Sequence, residues 1–171
     1  MLFENNSIET SDLPRFEEQS FQPLKKAYLK LIVIQWTVFI LFPAAGLIYL
    51  SFFNDTLTDS LLIYFWIGLA SFYLIRLLII FAGFKRKGFL LREHDILYRS
   101  GIIVFKVTAV PYNRIQHSEI RQGFLSRLFR ISKLKIFTAG GAASDLAING
   151  LVPDEAQRMK DFLSKTVSSY E

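Results

Sequence analysis

The sequence contains no cysteine. Disulfide bonds, thiol nucleophiles, cysteine-ligated metals and iron–sulfur clusters are therefore excluded. Histidine is almost as scarce, because His94 and His117 are the only two and they fall on different expected elements, without the spacing of a zinc motif. The Gly140-Gly141 pair lacks the further glycines and the lysine of a phosphate-binding loop. We therefore expect no enzymatic activity, no catalytic residues, no cofactor and no metal site.

Charged residues are nearly absent from residues 31–84. Residues 31–53 contain none, and residues 61–84 contain only Arg76. A helix over the shorter of these runs is about 35 Å long at ~1.5 Å per residue, which is enough to cross a hydrocarbon core of about 30 Å. A helix on the surface of a soluble protein normally keeps a polar stripe, which neither run has. The sequence therefore predicts two transmembrane helices over these runs, joined by a short loop at 54–60.

The positions of lysine and arginine predict the orientation of the helix pair. Three cations lie shortly before the first run, three lie directly after the second, and the connecting loop has none; the six are Lys25, Lys26, Lys30, Lys85, Arg86 and Lys87. By the positive-inside rule, both termini lie in the cytoplasm and the loop lies outside the cell membrane. The chain then divides into a cytoplasmic N-terminal segment (1–30), the two-span hairpin, a cytoplasmic domain (85–168) and a tail (169–171).

Arg76 is the one charge inside a predicted span, where insertion scales assign a cost of about 2.5–3.5 kcal/mol near a helix centre. Snorkelling toward the cytoplasmic surface, with Gln35 as a polar neighbour, is one interpretation. A contact with the transmembrane helix of a partner is the other, which makes Arg76 a candidate intramembrane contact. Small residues around Gly46 and Gly68 predict that the two helices approach each other closely.

Residues 88–150 consist of short β-prone runs separated by turn residues, which is typical of an antiparallel meander. The expected strands cover 88–92, 96–100, 102–110, 114–122, 133–137 and 145–149, with a short helical turn at 124–130. An amphipathic helix follows, with Pro153 in its first turn and Met159 and Leu163 in its apolar stripe. This helix must bury that stripe against the sheet.

Two strings in this region carry a family resemblance. Val-Pro-x-x-Arg-Ile-Gln occupies 110–116 and Gln-Gly-x-Leu-x-Arg-Leu-Phe occupies 122–129. Together with the Pro153-Asp-Glu-Ala start of the last helix, they resemble the bacterial pleckstrin-homology (PH) domain of YdbS-like membrane proteins, and the preceding hairpin fits the same layout. The resemblance implies a PH-like fold, a bent antiparallel sheet or partly open barrel of about seven strands with a C-terminal α-helix over one opening. Arg130 stands where such proteins often place glycine.

The domain after the spans is basic, with 15 Lys and Arg against 8 Asp and Glu in residues 85–171. Cations tethered beneath an anionic leaflet are attracted to it, although general solubility would also favour them. The candidate anionic-lipid contacts are Lys85, Arg86, Lys87, Arg130, Lys133 and Lys135. The first hairpin turn, Glu93-His94-Asp95, is acidic, unlike that of familiar lipid-binding PH domains. Nucleic acid is not expected as a partner, because no stacking platform accompanies the cations.

We expect a non-enzymatic membrane adaptor that binds protein partners, either a homologous membrane protein or another copy of itself. PH-like sheets offer exposed edges and a groove beside the C-terminal helix for a peptide. The candidate partner-binding residues are Arg114, Gln116, His117, Arg121, Gln122 and Arg127. Arg114 and Gln116 could instead satisfy carbonyls within turns. The alternatives are an anionic-lipid sensor that uses the basic residues, and an accessory subunit of a transport or cell-envelope stress complex.

Overall fold

The computed structural model describes residues 20–53, 59–139 and 146–168. Two long helices come first, α1 (Lys26–Phe53) and α2 (Asp59–Arg86). In the most apolar stretch of each helix only 6% of the residues are buried, so these are not core helices of a soluble protein. The chain is a transmembrane protein, and most apolar side chains of α1 and α2 are exposed on its surface. Most of the expected loop at 54–60, the Gly140-Gly141 pair and the tail at 169–171 lie outside the described residues.

The two spans contact each other near the end that carries the folded domain. There the Thr37 hydroxyl and the Tyr73 hydroxyl are 2.7 Å apart and share a hydrogen bond between α1 and α2. The close approach predicted around the glycines is wrong, because a Cβ added at Gly46 or Gly68 would meet nothing within 4 Å. A gap of about 470 Å³ separates the helices there, lined by both glycines and by the proline inside α1, Pro43.

Seven antiparallel strands form two sheets, with one strand before the first span and six after the second. The strands are β1 (Gln22–Pro23), β2 (Gly88–Leu91), β3 (Asp95–Ser100), β4 (Lys106–Pro111), β5 (Ile115–Arg121), β6 (Ser132–Thr138) and β7 (Leu146–Leu151). The first four form one sheet in the order β1-β2-β3-β4, and the last three form the other in the order β5-β6-β7. A 3₁₀ turn (Tyr112–Arg114) connects the sheets, and a short helix, α3 (Phe124–Leu128), connects β5 to β6. Together with the C-terminal helix this is the PH-like arrangement.

Helix α4 (Pro153–Ser168) closes the domain over the core. Its buried residues Ala156, Met159 and Leu163 pack into one cluster with apolar residues of both sheets. The alternation of buried and half-buried residues along β6 brings Leu134 and Ile136, both fully buried, into this core. The predicted burial of the amphipathic stripe is confirmed.

Strand β1 lies before the first span, and sequence analysis did not predict it. Gln22 pairs with Phe89 and Pro23 with Gly88, so β1 extends the edge of the first sheet. Leu24 follows it into the core with an exposed fraction of 4%, and the Lys25 amide donates a hydrogen bond to the Gly150 carbonyl at 3.2 Å. The residues that flank the spans therefore pack together, and they lie on the same side of the membrane in this structure.

Strand β4 begins four residues later than the expected strand at 102–110. Gly101 has a φ of +109°, and a Cβ at this position would overlap the carbonyl oxygen of Val104. Because the chain turns back on itself there, 102–105 form an exposed apolar loop between β3 and β4, here called the β3–β4 loop. The sequence pattern predicted a strand here because residues 102–105 form an apolar run rich in β-branched side chains, and such a run is typical of a strand.

Arg130 closes α3 in a Schellman motif. The Ile131 amide donates to the Ser126 carbonyl at 2.8 Å, and the Arg130 amide donates to the Arg127 carbonyl at 3.0 Å. Arg130 has a φ of +50°, the left-handed conformation that this motif requires and that glycine adopts most easily. The tight turn is therefore present even though the chain has arginine where related proteins often have glycine.

We expect Arg130→Gly to raise the free energy of unfolding of the domain by about 1 kcal/mol, because glycine relieves the left-handed strain of a side-chain-bearing residue. Equilibrium denaturation of the full-length chain in detergent micelles measures the change. Arg127→Gly is the matched control, since it makes the same replacement inside α3 and should lower stability by roughly 1 kcal/mol. A loss of stability in both variants would contradict the assignment of strain to Arg130.

Candidate functional site

A groove runs between strand β5 and helix α4. It has a volume of about 190 Å³, with Ile115, Leu163 and Val167 supplying apolar surface. The polar groups of its rim are Gln116, His117, Ser118, Lys160 and Ser164. The groove is therefore an apolar slot with polar side chains on both sides, which is a surface suited to one anchoring side chain of a peptide.

Strand β5 forms an edge of its sheet beside this groove. Within the described ranges its ladder is made with β6 alone, from Ile115 opposite Thr138 to Arg121 opposite Lys133. The register shifts between Ile115 and His117, so a bulge lies where the strand enters the groove. A sheet edge exposes backbone N–H and C=O groups that a further strand can pair with.

His117 is held in place by an aromatic neighbour. Its ring stacks on Phe137 of β6 with centroids 4.3 Å apart and an interplanar angle of 12°. The imidazole is nevertheless exposed, as are Gln116 beside it and Arg114 before the strand. These three predicted partner-binding residues therefore lie at the start of β5 and in the turn before it.

The other three predicted partner-binding residues lie at the far end of β5 and on α3. The Arg121 Nε atom is 2.6 Å from Glu119 Oε1, and Gln122 donates from Nε2 to the Ile131 carbonyl at 3.0 Å. Gln122 therefore has a structural contact around the α3 connection, whereas Arg127 is exposed on α3. The structure divides the predicted set in two instead of forming one site from it.

The predicted lipid contacts lie at the end of α2, at the end of α3 and on β6. Lys133 lines a cavity of about 240 Å³ together with Leu31 and Gln35 of α1, while Lys135 lies 3.7 Å from Glu119. Arg130 is exposed at the end of α3, away from Lys85, Arg86 and Lys87 along the chain.

Arg76 stacks on an aromatic ring. Its guanidinium carbon lies 4.1 Å from the centroid of Trp36 on α1, within range of a cation–π interaction. Trp36 is therefore the neighbour that the structure places at the guanidinium, whereas Gln35 lines the cavity with Lys133. The choice of Gln35 from sequence rested on polarity, and the helix geometry presents the adjacent residue instead.

Tyr28, Tyr98 and Gly150 mark a junction between α1 and the folded domain. A Cβ at Gly150 would lie 2.7 Å from Tyr28 Cβ, which leaves room only for glycine. Burial raises the pKa of Tyr98 to about 12, with a further contribution from Tyr28 and an opposing hydrogen bond with Asn149. The Lys25 ammonium adds an ion pair at 3.7 Å from Glu155 Oε2 at the start of α4.

Sequence reasoning missed this junction, because no motif spacing connects residue 28 to residue 150.

The two histidines lie on different elements, with His94 in the turn before β3 and His117 on β5. Across the part of the chain that the structure describes, no group of three or more histidine, aspartate or glutamate side chains is placed to hold a metal ion.

Comparison with known proteins matches the chain to one family. The family model described as Bacterial PH domain matches residues 29–167, which include both spans and the domain. The UPF0699 transmembrane protein YdbS of Bacillus subtilis (strain 168) is 37% identical over 73 residues, covering 43% of this chain and 44% of that protein. The alignment thus spans less than half the length of this relative. No solved structure matches the chain.

Proposed function

Because this chain belongs to the bacterial PH domain family, we propose that it is a non-enzymatic, membrane-anchored adaptor. Its PH domain binds an extended segment of a partner protein along the edge of β5, beside α4. The observation that carries this proposal is the coincidence of an edge strand and an apolar groove at the same place. An extended segment that pairs with a sheet edge takes its affinity from main-chain hydrogen bonds and its specificity from side-chain pockets.

The groove offers both kinds of contact. The β5 backbone provides the ladder, and the slot over Ile115 and Leu163 accepts an apolar side chain of the incoming segment. Because side chains of a strand alternate in direction, every second residue of that segment would face the slot. His117 and Gln116 at the rim are exposed and can donate to or accept from the partner's polar groups.

The charges around the groove favour an acidic segment. Lys160 lines it and Arg114 precedes β5, whereas none of the residues that line the groove is an aspartate or glutamate. Opposite charge on the partner would speed association and select against basic competitors. The partner we propose is therefore another membrane protein of the same kind, or a second copy of this chain, that presents an acidic extended segment.

We also propose that the domain and both termini lie in the cytoplasm, with the short loop outside. The cation-rich flanks of the spans support this orientation under the positive-inside rule. The pairing of β1 with β2 joins the residues before the first span to the domain after the second, so both flanks lie on one side of the membrane, and the choice of the cytoplasmic side rests on the cations alone. The absence of cysteine and of any recognisable catalytic spacing is why the proposed adaptor is non-enzymatic.

A photo-crosslinking amino acid placed at Gln116 or at Lys160 tests the docking site in intact membranes. These positions face the groove from β5 and from α4, so both should attach to the same acidic peptide, identified by mass spectrometry. Ser164→Trp should reduce the yield at least roughly fivefold, because the indole occupies the space of the anchoring side chain.

Two controls make the result specific. Ala109 is exposed on β4 in the other sheet, and a crosslinker there should not attach to that peptide. Arg158→Trp adds the same ring to an exposed position of α4 that does not line the groove, and it should leave the yield unchanged. The docking proposal fails if Ala109 captures the same peptide, or if the two groove positions share none.

A further inference from the structure

A large cleft lies where the two spans meet the β3–β4 loop. It has a volume of about 550 Å³ and extends from Tyr28 and Lys87 at the domain end to Trp36 and Arg76 within the spans. Its walls come from α1, α2 and the β3–β4 loop. None of its lining residues is an aspartate or glutamate, so the two cations are its only charges.

Arg76 enters this cleft without an acceptor for its Nε atom. The atom is buried, and it makes no hydrogen bond within the described residues. The stacking of the guanidinium on Trp36 satisfies one face of the group but none of its N–H donors. Arg76 as a whole is half-buried, and a guanidinium in an apolar setting is stabilised by an anionic or carbonyl partner, because an unpaired charge costs free energy there.

Lys87 provides the second cation, at the membrane surface. It is half-buried, its ammonium lies 5.8 Å from the centroid of the Tyr28 ring, and desolvation lowers its pKa. An anion in the cleft would stabilise the Lys87 ammonium, as solvating water does at an exposed lysine. Lys85, two residues earlier on the end of α2, is exposed and does not line the cleft.

The β3–β4 loop forms the third wall and has unusual exposure. Ile103 is 96% exposed and Val104 is 76% exposed, yet both line the cleft beside Ile79 and Ile80 of α2. Arg86 fastens the loop to the helix end through a hydrogen bond from Nη1 to the Ile102 carbonyl at 2.8 Å. Since Ile79 and Ile80 belong to a transmembrane helix, apolar side chains at their depth are in contact with lipid.

We propose that this cleft binds one anionic phospholipid of the leaflet on the PH-domain side. The phosphate lies between the Lys87 ammonium at the mouth and the Arg76 guanidinium deeper in the cleft. An acyl chain runs along Ile79, Ile80 and Ile103. The lipid thereby gives the Arg76 guanidinium an anionic partner and covers the apolar β3–β4 loop, so it couples the position of the PH domain to the composition of the bilayer.

A phospholipid fits the cleft better than a partner's transmembrane helix. The β3–β4 loop closes the domain end of the cleft, and a helix about 10 Å across that continued out of the bilayer would meet it. A lipid has its charged group near that end and needs no continuation beyond it. The charges agree as well, because a phosphodiester is an anion and each cation near an anionic lipid surface adds to the attraction.

Tryptophan fluorescence of the full-length chain in bilayers tests the site. Trp66→Phe removes the only other tryptophan and leaves Trp36, which lines the cleft, as the reporter. Bilayers then contain either phosphatidylglycerol or phosphatidylcholine with brominated acyl chains, mixed with the other lipid unbrominated. From the mole-fraction dependence of quenching, we expect Trp36 to prefer the anionic lipid over the zwitterionic one by about fivefold or more.

Two variants in this background should bring that preference close to unity. Arg76→Gln removes the deep cation, and Lys87→Gln removes the one outside the spans, where a change does not disturb helix insertion. Lys85→Gln, at an exposed position on the same helix end, is the matched control and should keep the preference. Circular dichroism verifies that each variant remains folded.

The proposal is overturned if Trp36 shows no preference for the anionic lipid, or if Lys85→Gln lowers the preference as much as Lys87→Gln does. It is also overturned if brominated lipid of either kind fails to quench Trp36 while chemical crosslinking shows a second chain against α1 and α2. That result would assign the cleft to a partner helix.

Discussion

Leu134→Ala is expected to lower the free energy of unfolding of the PH domain by about 3 kcal/mol, the typical cost of this replacement in a closed core. Leu134 is fully buried at the centre of β6, where it pairs with Ile120 on one side and Ile148 on the other. The surrounding residues belong to both sheets and α4 and cannot all collapse into the space that the leucine leaves.

Hydrogen exchange of β6 amides in the detergent-solubilised full chain gives this free energy for the domain itself. Leu128→Ala is the matched control, because Leu128 is 72% exposed on α3 and its truncation should change stability by less than about 0.5 kcal/mol. Equal effects of the two variants would mean that α3 packs into the core, contrary to the structure.

Gly150→Ala is expected to lower stability by roughly 3 kcal/mol and to loosen the junction between α1 and β7. Gly150 has a φ of +75°, and an alanine there costs about 1–2 kcal/mol from backbone strain alone. Its Cβ would also lie 2.7 Å from Tyr28 Cβ. Because both atoms are attached directly to the main chain, either α1 or β7 must move.

Loss of exchange protection should be largest at β7 and at the first turns of α1, since the hydrogen bond from the Lys25 amide to the Gly150 carbonyl breaks with the junction. Gly123→Ala serves as the comparison. Gly123 has a φ of −74° and nothing within 4 Å of an added Cβ, so we expect a change of at most about 0.5 kcal/mol. A Gly150 variant as stable as the Gly123 variant would show that the junction tolerates a side chain.

The junction forms part of one of the two proposed sites. Tyr28 belongs to the junction and also lines the lipid cleft, so the position of α1 sets one wall of that cleft. The groove between β5 and α4 shares none of its lining residues with the cleft. Substitutions can therefore remove either activity alone, which makes the adaptor proposal and the lipid proposal separately testable.

Local signals predicted the elements that depend on composition and short-range pattern. A long run without charge specifies a membrane span by its length, because the bilayer thickness is constant and charge is costly inside it. Helix α4 begins at Pro153, as its acidic first turn and apolar spacing indicate. The alternation at 133–137 predicted β6, and the family motifs of 110–129 predicted the PH-like fold that the family match confirms.

Other features depend on contacts between residues far apart in the chain. Strand β1 is only two residues long, and it exists because β2 offers it an edge after both spans have brought the chain back. The β3–β4 loop reads as a strand, and only the turn at Gly101 ends β3 and exposes the apolar residues that follow. The predicted partner-binding string divides in two, because β5 carries its halves to opposite ends of one strand.

Two transmembrane helices and a basic PH-like domain follow from the sequence, since hydrophobic length, charge exclusion and short-range periodicity are properties of neighbouring residues. The location of the functional side chains depends on the tertiary structure. Arg76 meets Trp36, Lys87 shares a cleft with both, and His117 lies beside Lys160 at a groove, because helix packing and sheet register bring together side chains that no sequence spacing connects.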